Sequence, residues 1–184
     1  MRVRLEGIFS AIAADAEMFE RHHREDKQTI IKALLAAEDH RAAQHRGIDY
    51  YSLMRAILRS LGSGRIRGLS TIEQQYVRLI ERRQGNLVLC KLRELYWSRM
   101  LCQRVSKEQI WCGYLWRAYY GAEMVGYASA RNFHCSQAEK LTPQVAARIV
   151  AYLKFPCPGV SSRAWQEKHN RRVAHTLRRQ GLSD

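Results

Sequence analysis

The stretch TIIKALLAAEDHRAAQHRG, residues 29–47, decides the fold class. Ile30, Ile31, Leu34 and Leu35 fall at the spacing that lays an apolar stripe along one face of an α-helix. The stripe ends in an adjacent carboxylate pair, Glu38 and Asp39, and His45 and Gly47 follow it. Half-burying a carboxylate at a helix edge costs free energy unless something there uses its charge. The helix end is therefore a candidate site.

The same helical signature recurs along the chain, and strand signals are nearly absent. STIEQQYVRLI sets Ser70 three residues before Glu73, a capping box that starts a helix. SKEQIWCGYLWRAYY repeats the device with Ser106 and Gln109. LTPQVAARIVAYL places Thr142 at a cap and Pro143 in the first turn, and a last helix runs from near Ser162 to Gly181. SLGSGRIRGLS, residues 60–70, reads as a glycine-rich loop. The fold class is all-α.

With 184 residues, three prolines and no low-complexity linker, residues 1–184 form one domain with a sizeable core. The formal charge of +14 predicts an anionic partner: nucleic acid, an acidic membrane surface or a phosphate-bearing substrate. Five cysteines, Cys90, Cys102, Cys112, Cys135 and Cys157, lack CxxC spacing and leave one over. They argue against a zinc site and a disulfide framework, and read as small buried hydrophobes. MRVRLEGIFSAIAADAEMF imitates an export signal, but Glu6 interrupts a short apolar run. No run approaches the ~20 apolar residues of a membrane span, so the expectation is no export by that route and no membrane anchor.

Four ordered motifs carry more information than any one alone: EDHRAAQHRG, GLSTIEQQ, CKLRE and a helix with Tyr114 and Leu115. Together they resemble the peptidoglycan glycosyltransferases, the transglycosylase domain of penicillin-binding proteins. That family reads E-D-x-x-F-x-x-H-x-G, G-x-S-T-x-T-Q-Q, R-K-x-x-E and Y-L-N. The resemblance covers roughly residues 28–180, leaving 1–27 as an N-terminal extension. It implies a lysozyme-like bilobal domain, with a large lobe, a small jaw and a long central cleft. It further implies polymerisation of lipid II into glycan strands by inverting transfer, with undecaprenyl pyrophosphate released. The place of work would be the bacterial cell envelope, at the outer face of the inner membrane. The partners would be lipid II, the growing strand and an anionic membrane surface, and no nucleic acid.

The resemblance assigns Glu38 as general base and Glu94 as second functional carboxylate. Lys91, Ser70, Thr71, Gln74, Gln75 and Arg78 would hold pyrophosphate, with Asp39, His45, Gly47 and Gly68 in support. No cofactor is obligatory, although a divalent cation, Mg or Mn, could assist at Glu94. The chemistry agrees. A sugar hydroxyl needs a base within hydrogen-bond reach, and a departing pyrophosphate needs cations and oriented donors. The free N–H groups of a helix starting after Ser70 would add a phosphate seat. Arg171, Arg172, Arg178 and Arg179 read as a solvated face that could also attract anionic lipid.

Departures temper the match. Ala42 replaces the motif phenylalanine, Glu73 a threonine, Cys90 an arginine and Trp116 an asparagine, and Asn86 stands where arginine is common. They leave open an active enzyme with altered donor recognition and a catalytically impaired relative that binds lipid II or peptidoglycan, for instance an effector; a muramidase on the same helical scaffold, also working with acidic residues, ranks lower.

Overall fold

A computed structural model describes residues 2–63, 70–81, 86–134 and 139–182. Among them the chain is helical, as the sequence predicts. The helices are α1 (Arg2–His23), α2 (Lys27–Glu38), α3 (Tyr50–Ser63), α4 (Ile72–Ile80), α5 (Leu87–Arg104), α6 (Lys107–Arg117), α7 (Tyr127–His134), α8 (Pro143–Lys154) and α9 (Arg163–Arg179). A 3-10 turn covers Ala42–Gln44. The short strands β1 (Tyr119–Gly121) and β2 (Met124–Val125) pair antiparallel. The all-α architecture is consistent with a lysozyme-like domain.

One hydrophobic cluster joins most of these elements, α3 excepted among the described residues. Ile12 and Phe19 of α1, Ile30 and Leu34 of α2, Tyr76 of α4, Leu115 of α6 and Ile149 of α8 are all fully buried in it. Each such side chain stabilises the fold by about 1.5–3 kcal/mol. α1 packs along α6, α2 against α8 and α9, and α4 against α5 and α6. The separation of residues 1–27 as an extension is corrected: α1 belongs to the core. Its Asp15 is buried and accepts bonds from Tyr76 (2.6 Å) and from Arg117 Nε and Nη2 (2.6 and 2.8 Å), tying α1 to α4 and α6.

The helix starts follow local chemistry. Ser106 and Gln109 form the expected capping box, and Thr142 and Ser162 cap α8 and α9. Gly181, past the last helix, takes a left-handed φ of 73°. Two expectations shift. α3 continues through Ser63 into the stretch read as a loop; residues 64–69, including Gly68, lie outside the described residues. The cap of α4 is Thr71, not Ser70, and its hydroxyl accepts the Gln74 N–H. Glu73 therefore closes no capping box. Tyr50, Tyr51, Met54 and Leu58 on α3 and Leu87, Val88, Leu89 and Leu92 on α5 expose apolar surface.

Candidate active site

Glu38 is the last residue of α2, where the helix dipole is negative and a carboxylate is least welcome. The structure answers with Arg172 of α9. Its Nη2 donates to Glu38 Oε1 at 2.7 Å and also to the Ala37 carbonyl, so one guanidinium neutralises both the side chain and the helix end. The ion pair is largely shielded, with side-chain exposures of 18% and 10%. Arg172 is thus not on a solvated face, which corrects the sequence reading. Its aim is set by the packing of α9 on α2.

The other oxygen of Glu38 is held by a relay. Tyr114 of α6 donates to Gln75 Oε1 at 2.8 Å, which turns the amide so that Nε2 donates to Glu38 Oε2 at 3.2 Å. Burial pushes the Tyr114 phenol well above its ordinary pKa, which keeps it protonated as the donor.

The turn after α2 is built from the motif residues. Asp39 accepts from His45 Nε2 (3.1 and 3.0 Å) and from the Ile72 N–H (3.4 Å). The Gly47 carbonyl accepts from Thr71 Oγ1 at 2.9 Å and from Gln74 Nε2 at 3.0 Å. Gly47 itself has φ 84°, and a Cβ there would meet the Ser98 carbonyl oxygen at 2.4 Å. Only glycine satisfies both the left-handed backbone and this approach to α5. His45 and Gly47 shape the turn. The expected phosphate seat on α4 is corrected as well. The Ile72 N–H is taken by Asp39 and the Gln74 N–H by Thr71, because the positive helix end has captured the nearest acceptors.

A third group gathers the cations. Arg78 makes a bidentate pair with Glu94 (Nε to Oε1 2.9 Å, Nη2 to Oε2 3.0 Å) and reaches Ser70 Oγ at 3.1 Å. Lys91 Nζ donates to Gln74 Oε1 at 2.7 Å, Ser70 Oγ at 3.2 Å and Glu94 Oε2 at 3.3 Å. Glu94 is buried, while the Arg78 and Lys91 side chains are about one-third exposed and can meet a ligand. Ser70, released from capping, lies between the two cations. Both Glu94 oxygens face positive charge, so the donor set there does not suit a divalent cation.

The structure thus brings Glu38, Gln75, Ser70, Thr71, Gln74, Arg78, Lys91, Glu94, Asp39, His45 and Gly47 into one network, in the register the four motifs prescribe. The Transglycosylase family profile matches residues 10–180. This chain belongs to the transglycosylase family. Penicillin-binding protein 2D of Bacillus subtilis (strain 168) is 35% identical over 130 residues, 70% of this chain and 19% of that protein. A protein of Neisseria meningitidis named biosynthetic peptidoglycan transglycosylase is 34% identical over 131 residues, 68% of this chain and 77% of the relative. One of the same name from Pseudomonas putida (strain W619) is 32% identical over 132 residues, 71% of this chain and 56% of the relative. The chain spans about half the length of most of the curated relatives it matches.

Each departure from the family motifs has a structural place. Ala42 is buried in the 3-10 turn and Cys90 is buried on α5. Asn86 caps α5 by accepting the Val88 N–H at 2.8 Å. Trp116 stacks on His22, ring centroids 5.8 Å apart. Glu73 is fully buried. Sequence reasoning puts Arg172 on a solvated face and misses its pairing with Glu38, because that partner is 134 residues away. Tyr114 was found by its motif, and its role needed the structure.

Proposed function

We propose that this chain is a peptidoglycan glycosyltransferase that joins lipid II units into glycan strands by inverting displacement, with undecaprenyl pyrophosphate as the leaving group. One observation carries the reading: the start of α4 serves both ends of such a reaction. Gln75 bonds the carboxylate of Glu38, while Ser70 and Gln74 bond the cations around Glu94. In this reading Glu38 accepts the proton of the attacking sugar hydroxyl, within hydrogen-bond reach. Arg78 and Lys91 receive the pyrophosphate oxygens as negative charge develops, and Ser70 adds a neutral donor. Glu94 positions the two cations, and no step passes through a metal.

The exposed apolar residues of α3 and α5, with the +14 charge, support an anionic membrane surface as partner rather than nucleic acid, and the outer face of the inner membrane as the place of work. No helix among the described residues is long and apolar enough to cross a membrane.

The test is incubation of the purified chain with lipid II. Glycan strands should form, and Glu38→Gln should slow them by roughly 10²–10⁴-fold. No polymer and no consumption of lipid II from the wild-type chain overturns the reading. A second reading, a lipid II binder without turnover, is favoured by Arg172 occupying Glu38 and by Cys90 and Asn86 standing where arginines would serve pyrophosphate. It predicts saturable binding that survives Glu38→Gln and weakens with Lys91→Ala.

A further inference from the structure

Next to Glu38, a second cluster of polar side chains takes no part in the transfer just described. Asp39, His45 and Glu73 are all buried, and each offers one ligand atom within 4.8 Å of the others. Glu73 is the anomaly. Its relative exposure is 0%, and neither of its carboxylate oxygens has a hydrogen-bond partner. Leaving a buried carboxylate without a partner costs several kcal/mol in real proteins, and burial pushes its pKa up.

The remaining two members already touch through the hydrogen bond between them. His45 Nε2 and Asp39 Oδ2 are 3.0 Å apart. Two donors of a tetrahedral zinc with bonds of about 2.0–2.1 Å lie about 3.4 Å from each other. An ion among these three donors, all within 4.8 Å of one another, gives the buried Glu73 carboxylate a counter-charge.

We propose that Asp39, His45 and Glu73 bind one first-row transition divalent cation, with zinc foremost. The nitrogen donor selects against magnesium and calcium, which take oxygen sets. The ion takes the Nε2 lone pair of neutral His45, whose ring proton then sits on Nδ1, and the 2+ charge balances the two carboxylates. The ion fastens the turn after α2 to the start of α4. It does not depend on the transfer reaction and is separate from the cations at Glu94.

The test uses the full chain, stripped with a chelator and titrated with Co²⁺ alone, then with Zn²⁺. The expected result is one equivalent of cobalt with the visible absorption of a low-coordinate site, displaced by zinc, and a Tm raised by either ion. The nearly isosteric Glu73→Gln, checked for fold by circular dichroism, should weaken zinc binding by more than the roughly 10–100-fold typical of outer-shell losses. Glu73→Thr should behave alike. Cys102→Ser should leave binding unchanged; burial chiefly raises the pKa of its thiol, and the nearby Glu73 charge adds to the rise. A wild-type chain without cobalt absorption overturns the proposal, and so does a signal that survives Glu73→Gln or disappears in Cys102→Ser. Glu73 would then be a neutral buried acid.

Discussion

Glu94 is held by neighbours along the chain: Lys91 three residues before it and Arg78 sixteen before it, on helices that pack side by side. Glu38 is held by Arg172, 134 residues away, and by Gln75, 37 away. The first carboxylate sits in a local clamp whose cations are partly exposed to solvent. The second depends on the docking of a distant helix, which also shields the pair. Disturbing α9 should therefore strike Glu38 and spare Glu94.

Removing the carboxylate itself is the largest break, the loss of transfer expected for Glu38→Gln. Next comes Arg172→Ala, which leaves Glu38 charged, shielded and at the wrong end of a helix. Stability should fall by about 3 kcal/mol, measured by urea unfolding. Arg172→Lys should restore less than half, since an ammonium lacks the fork that spans Glu38 and the Ala37 carbonyl. At the other carboxylate, Lys91→Ala should cost under about 1 kcal/mol of stability, because the lysine is partly exposed and Arg78 still pairs with Glu94. It should weaken lipid II binding about tenfold by equilibrium titration. Equal stability losses at Arg172 and Lys91 would break the comparison.

Acid sharpens it further. α9 is docked through a stack of His134, Tyr152, His169 and Trp165. Burial lowers the pKa of His169 and brings that of His134 down to about 4. The folded state therefore binds fewer protons than the unfolded state between about 4 and 6.5. Their contribution to stability is complete above pH 6.5 and is lost as pH falls through that window. Hydrogen exchange at pH 5 should show faster opening of α9 than at pH 7, with α4 and α5 little changed. His134→Phe should flatten that difference. The smallest effect is expected for Tyr114→Phe, about 1 kcal/mol, since Gln75 keeps its place but loses the donor that orients it.

The same contrast explains what could be read from the sequence. Caps at Ser106, Thr142 and Ser162 act over three residues, and they are where the sequence puts them. The four motifs gather as their order suggests. Ser70 and Thr71 are both good caps, and the choice falls to Thr71 while Arg78 and Lys91 engage the Ser70 hydroxyl from other turns. Glu73 reads as a cap because nothing local shows that its side chain will be buried. Arg172 reads as surface because an arginine-rich helix usually is. α1 looked like an addition because its motif content is low, yet its apolar side chains fill the core. In each case the deciding partner lies on another helix.

The carbonyl of Gly47 receives both Thr71 and Gln74, and Gly47 is itself pressed against the backbone of α5. The turn that follows Glu38 and the helix that faces the cations are therefore tied together at one carbonyl. Substitutions on the two sides should not add, because each shifts the platform on which the other stands. A lineage that alters one half of this machinery must adjust the other, and drift should come in matched pairs across that single carbonyl.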